Sequence, residues 1–178
     1  MKNYCVCGID PGLSGAIAFY YSTHPNLVSS EDMPTVAGEI NCAEVAERIR
    51  QIRPDFVIIE QVGARPGQGV SSMFKFGKVY GSLIGVCAAL HVPTHFVTPQ
   101  KWKKHFSLSS EKEKSRQRAL ELWPERAEIF SKKKHEGRAE AALLALYGAK
   151  VVAGSSTDGA TRPEEGAIVS SSISAGAL

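Results

Sequence analysis

Two apolar runs in the first third of the chain constrain it most, because each ends on a carboxylate. Residues 4–9 (YCVCGI) read as a buried strand that stops at Asp10. The turn Pro-Gly-Leu-Ser-Gly follows, and Ala16–Tyr21 returns as an antiparallel partner. Residues 56–59 (FVII) form a second continuous apolar strand, which stops at Glu60. In α/β sheets ligands gather at the carboxyl ends of strands, so two such acids converge on one point if their strands are neighbours. Asp10 before Pro-Gly has a plainer reading as a turn organiser. Glu60 is harder to explain that way, since a carboxylate ending an Ile-Ile run in a central strand is poorly solvated.

The remaining elements alternate. A polar stretch with Pro25 and Pro34 follows the hairpin, and Asn41 is placed to cap a helix that runs through Ile52 with Val45, Ala46 and Ile49 on its apolar stripe. Gly and Pro punctuate the loop 63–69. The segment 71–90 reads as a long helix carrying Gly77, Gly81, Ser82 and Gly85 at about one-turn intervals. Glycine costs about 1 kcal/mol in a helix interior, so close packing against a neighbour is the expected compensation. Thr94–Val97 is a further strand, and Thr98-Pro99 starts a short helix carrying Lys101, Trp102 and Lys103. Helices at 111–122 and 136–151 complete the pattern, the last with Ala139, Leu143, Leu146 and Tyr147 on its apolar stripe. A hairpin followed by alternating strands and helices indicates an α/β domain with a mixed sheet, here residues 1–152. From residue 153 the sequence is rich in Gly, Ser, Ala and Thr and has no aromatic, and 153–178 reads as a disordered tail.

Composition narrows the setting. The 178 residues suit one domain, and no apolar run spans a bilayer. The first strand begins near Tyr4, so neither a signal nor a transit peptide is expected, and the four cysteines suit a reducing cytoplasm. Cys5 and Cys7 share a strand face as small apolar groups. The net charge of +3 is unevenly spread: residues 99–140 hold 12 Lys and Arg against 7 acids, or +5, leaving −2 elsewhere. That suggests a polyanionic partner, although basic helices are equally common as solvated faces.

Glu136 and Glu140 stand one helical turn apart and share a face. As an unpartnered pair they repel, and a divalent cation reverses that sign. In order, GIDPGLSGAIAF, IIEQV, the glycine-studded helix, TPQKWKKHF and HEGRAEAALLALYG resemble the blocks of the RuvC-like Holliday junction resolvases over roughly residues 4–150. The last two blocks are most similar to the branch that includes chloroplast, phage and bacterial enzymes. The resemblance implies an RNase H-like fold, a mixed five-stranded sheet with helices on both faces. It also implies a cytoplasmic, bacterial or phage-encoded enzyme, a homodimer formed through the helix 71–90, and paired symmetric nicks across a four-way DNA junction.

By the same resemblance Asp10, Glu60 and Glu140 are metal ligands, with a fourth one turn before the last acid. That fourth position is Glu136, or His135 beside it; Glu136 is in phase with Glu140 and is favoured. Phosphodiester hydrolysis needs an activated water and a neutralised 3′ oxygen, and two Mg²⁺ ions held by carboxylates supply both, with Mn²⁺ expected to substitute. Asp10 would bridge the ions, Glu60 would serve the leaving side, and Glu140 with Glu136 the attacking side. The products would carry 5′-phosphate and 3′-hydroxyl ends.

Lys103 matches a lysine that the family places near its active site, where it would stabilise charge on the phosphate; the alternative is a surface lysine. Trp102 and His105 read as packing or DNA-proximal residues. Lys101, Lys104, Lys112, Lys114, Arg116, Lys132, Lys133 and Lys134 are candidate DNA contacts, and Val62 or Arg65 stands where relatives carry a junction wedge. Three rivals remain. One is an RNase H-like nuclease for RNA–DNA hybrids or other branched DNA. The others are an actin-like ATPase, which lacks its second glycine-rich motif here, and a junction-binding protein without activity.

Overall fold

Every second residue of the first strand faces the same side of the sheet, and that alternation divides the molecule into two cores. The computed structural model describes residues 3–63, 67, 69–109 and 111–153. Along the chain come β1 (Cys5–Asp10), β2 (Ala16–Tyr21), β3 (Val28–Asp32) and a short ribbon of β4 (Thr35–Val36) and β5 (Glu39–Ile40). Then follow α1 (Cys42–Ile52), β6 (Phe56–Glu60), α2 (Val70–Ala89), β7 (Thr94–Val97), α3 (Pro99–His105) and α4 (Lys112–Leu122). A single-turn α5 (Ala127–Phe130) and α6 (Glu136–Tyr147) complete the order, with 3₁₀ turns before α5 and before α6.

The main sheet is mixed and five-stranded, in the order β3-β2-β1-β6-β7. β1 and β2 pair antiparallel, whereas β1 and β6 run parallel with Ile9 opposite Ile59. Cys7, Ile9, Ile17, Val57 and Ile59 point to one face, where they pack with Val45 and Ile49 of α1 and with Val79 and Leu83 of α2. Val6, Ala16, Ala18, Phe56 and Ile58 point to the other, under α6 and the helices outside it. Asp10 continues the Val6–Gly8 face and Glu60 the Phe56–Ile58 face, so the alternation sends both acids toward α6.

α6 is a central helix rather than an amphipathic surface one. Ala139 and every residue from 141 to 147 are buried, because β1 and β2 lie on one side of the helix and α4 on another. Small residues let it lie close. A Cβ on Gly8 would stand 2.1 Å from the Ala141 carbonyl oxygen and 2.6 Å from the Ala145 nitrogen, so helix backbone rests on strand backbone at that point.

Several expectations change. The helix foreseen over 136–151 ends at Tyr147 and continues as a wider π turn over Gly148–Val152. The polar stretch after the hairpin contains β3, an edge strand whose Ser29, Ser30 and Glu31 are only half-buried, so no apolar alternation marks it. Among the described residues nothing lies within 4 Å of where a Cβ on Gly77, Gly81 or Gly85 of α2 would sit. Asn41 does cap α1, accepting from the Glu44 N–H at 3.3 Å. Cys5 and Cys7 both join the α1–α2 core, and burial pushes the Cys5 thiol up to about 12. Among the described residues no helix is long and apolar enough to cross a membrane. Apart from Ala153, the expected tail lies outside the described residues.

Candidate active site

Adjacent parallel strands bring their last residues side by side, and here those residues are Asp10 and Glu60. Glu140 descends on them from α6. One carboxylate oxygen from each of Asp10, Glu60 and Glu140 lies within 4.8 Å of the other two. Close approach of α6 makes this possible. Gly137 sits over the β1–β2 turn, where a Cβ would meet the Ser14 carbonyl oxygen at 2.8 Å and Asp10 Oδ2 at 3.1 Å. The two glycines of the β1–β2 turn are not equally constrained. A Cβ on Gly15 would collide with the Asp10 carbonyl oxygen at 2.1 Å, whereas Gly12 has its nearest neighbour at 3.7 Å.

Like charges this close oppose ionisation. Burial pushes the Asp10 carboxyl well above the usual range, and Glu140, Glu60 and Glu136 push it further in that order, with Lys103 opposing. The three converging carboxylates, without a thiol or imidazole among them, are hard oxygen donors of the kind that suits Mg²⁺ or Mn²⁺.

Three donors hold the outer acids. The Trp102 indole N–H donates to Glu60 Oε1 at 2.8 Å in a buried contact. The Ser115 hydroxyl, itself fully buried, donates to Glu140 Oε1 at 3.1 Å. The Lys103 ammonium lies 2.8 Å from that same oxygen and 5.2 Å from the centre of the Trp102 ring. Behind the site, Arg138 clamps Asp32 of β3 with two bonds of 2.6 and 2.7 Å, tying the start of α6 to the sheet edge.

The expected site residues fall into distinct places. Asp10, Glu60, Glu140 and Lys103 converge. Glu136, in the first turn of α6, stands outside the 4.8 Å set yet close enough to repel Asp10. His135 is buried, and its Nδ1 accepts from the Lys132 N–H at 3.3 Å, so that nitrogen is engaged in the turn before α6. Lys101, Lys104, Lys114 and Lys132–Lys134 are exposed. Arg116 is turned inward: it donates to the Phe130 and Ser131 carbonyls at 3.2 and 3.0 Å and pairs with Glu113. Its guanidinium is engaged within the fold. Val62 is half-buried just past Glu60; Arg65 and the Lys112 side chain lie outside the described part. Sequence reasoning passed over Ser115 and Arg138 and left Trp102 without a role. The available signals were a tryptophan among lysines in KWKK and an arginine between the two acids of EGRAE.

No protein-family model matches the sequence, and no curated protein matches it significantly. Solved structures share its fold. Thermus thermophilus RuvC in complex with a Holliday junction substrate is 19% identical with a TM-score of 0.61, covering 82% of this chain and 93% of that one. The yeast mitochondrial Holliday junction resolvase Ydc2 is 16% identical with a TM-score of 0.53, over 79% and 75%. Fowlpox virus resolvase with Holliday junction DNA is 16% identical with a TM-score of 0.50, over 83% and 98%.

Proposed function

We propose that this chain is a metal-dependent DNA endonuclease that resolves four-way junctions by paired symmetric nicks. The observation that carries the reading is the convergence of Asp10, Glu60 and Glu140 from two neighbouring strand ends and one buried helix, on a fold shared with junction resolvases. Asp10, Glu60 and Glu140, with Glu136 beside them, are the residues that would hold two Mg²⁺ ions or their Mn²⁺ substitutes. When bound, these ions supply an activated water and neutralise the departing 3′ oxygen, leaving 5′-phosphate and 3′-hydroxyl ends.

The chain's own residues bind and orient the strand. Lys103, half-buried at the rim of the carboxylates, is positioned to meet a phosphate that enters between them. Exposed Lys101, Lys104, Lys114 and Lys132–Lys134 supply phosphate contacts without reading bases. If six to ten phosphates are neutralised, affinity falls by about 10³–10⁵ between 50 and 200 mM salt.

Two cuts placed symmetrically call for two active sites. α2 presents Val70 and Phe74, 86% and 75% exposed, beside the open faces of Gly77, Gly81 and Gly85. This face supports a homodimer in which helix backbones approach closely. The experiment for substrate class is a competition among an immobile four-way junction, its matched duplex and an RNA–DNA hybrid. Preferred cutting of the junction is expected. Preferred cutting of the hybrid would keep the fold and overturn the substrate.

A further inference from the structure

We infer that Trp102 is a positioning residue that orients Glu60 for cation binding, and that this is why a tryptophan stands inside the basic KWKK segment. The inference rests on the metal-site reading of the preceding section. α3 begins at Pro99, whose ring presets the first turn, and ends on the buried Phe106. Trp102 is fully buried between them and packs in the same core as α6. Its ring cannot turn without disturbing that core, so the indole N–H has one direction available. That direction ends on Glu60 Oε1, 2.8 Å away and 42 positions earlier in the chain.

The chemistry of the donor matters as much as its place. An indole nitrogen can only donate and carries no charge. It therefore holds Glu60 Oε1 in place while leaving the negative charge of the carboxylate available to a cation. The next residue acts differently. Lys103 donates to Glu140 as a full positive charge, which competes with a cation for the same oxygen. One short helix thus orients one outer acid and neutralises the other. Partners that orient a metal ligand in this way typically raise metal affinity or activity 10–100-fold.

A purely structural role would be to satisfy a buried carboxylate, and the test must separate the two. Trp102→Phe keeps an aromatic ring and removes the N–H. Mn²⁺ binding to the full chain, without DNA, is measured by calorimetry for wild type and variant, with circular dichroism to confirm the fold. The expected result is a 10–100-fold weaker affinity in a folded variant. Equal affinities would overturn the inference and leave the metal-site reading intact; wild type that binds no Mn²⁺ would overturn both.

A second measurement needs no variant. The two indole N–H signals of ¹⁵N-labelled wild type are followed during Mg²⁺ titration. The Trp102 signal should move with the binding isotherm, while that of Trp123, which donates to the Pro25 carbonyl at 3.1 Å, should stay in place. A Trp102 signal unmoved at Mg²⁺ saturation would overturn the inference.

Discussion

Gly8→Ala should disable the protein by lifting one helix. In β1 the glycine faces α6, and an added Cβ would lie 2.1 Å from the Ala141 oxygen and 2.6 Å from the Ala145 nitrogen. Ordinary contact begins at 3.4 Å, so the strand and helix must separate by about 1.3 Å, the difference between 3.4 and 2.1. Both obstructing atoms are backbone, and no rotamer change relieves them. Overpacking of this kind costs about 1–3 kcal/mol, offset by the roughly 0.5–1 kcal/mol that alanine gains over glycine in a strand. A net loss near 1–2 kcal/mol corresponds to a fall in Tm of about 2–8 °C for a chain of this size. The effect on cleavage should be larger. Glu140 precedes Ala141 on the same helix, and a displacement of about 1 Å at a reacting centre can cost 10²-fold. Thermal unfolding and single-turnover junction cleavage measure the two effects. Gly12→Ala is the control, because its Cβ would meet nothing nearer than 3.7 Å and it should behave like wild type. A Gly8→Ala protein with unchanged Tm and unchanged turnover would refute the backbone-on-backbone contact.

Other changes test other parts. Asp10 has a raised carboxyl pKa in the fold, so the folded state binds its proton more tightly than the unfolded chain does. Its contribution to stability is therefore lost as pH rises above the ordinary carboxylate range, and Asp10→Asn should raise the metal-free Tm at pH 7 while removing the rise that Mg²⁺ gives wild type; thermal scans from pH 5 to 8 decide this. Lys103→Met removes a charge that competes for Glu140, so Mn²⁺ should bind several-fold tighter by calorimetry while junction turnover falls. Arg138→Ala breaks the fork on Asp32, whose side chain is 57% exposed, so urea unfolding should show a loss of only about 1 kcal/mol or less. Gly81→Arg places a charge on the open face of α2 and should turn a dimer into a monomer in sedimentation, with the fold retained.

The strand-end acids were legible because apolar runs expose their own ends. Asp10 and Glu60 close continuous buried strands, and their parity places both on the α6 face. Helical phase put Glu136 and Glu140 on one face of α6, yet only Glu140 reaches the set with Asp10 and Glu60. What escaped was determined by contacts between elements distant in sequence. β3 reads as Val-Ser-Ser-Glu-Asp, with a single apolar residue, and is a strand because β2 offers it a backbone edge. α6 looked amphipathic, but α4 covers the side that a surface helix would expose. The partnership of Trp102 with Glu60 spans 42 positions and that of Ser115 with Glu140 spans 25, so neither leaves a local pattern. The α2 glycines suggested a close contact, and among the described residues nothing lies where a Cβ on Gly77, Gly81 or Gly85 would sit.

The most direct test of the account is end-labelled cleavage of an immobile four-way junction by wild type, Asp10→Asn and Glu140→Gln, in Mg²⁺ and in EDTA. Paired nicks at symmetric positions with 5′-phosphate ends are expected, lost in EDTA and reduced by several orders of magnitude in each variant although junction binding persists. Cutting that survives EDTA, or that both variants perform at the wild-type rate, would contradict it.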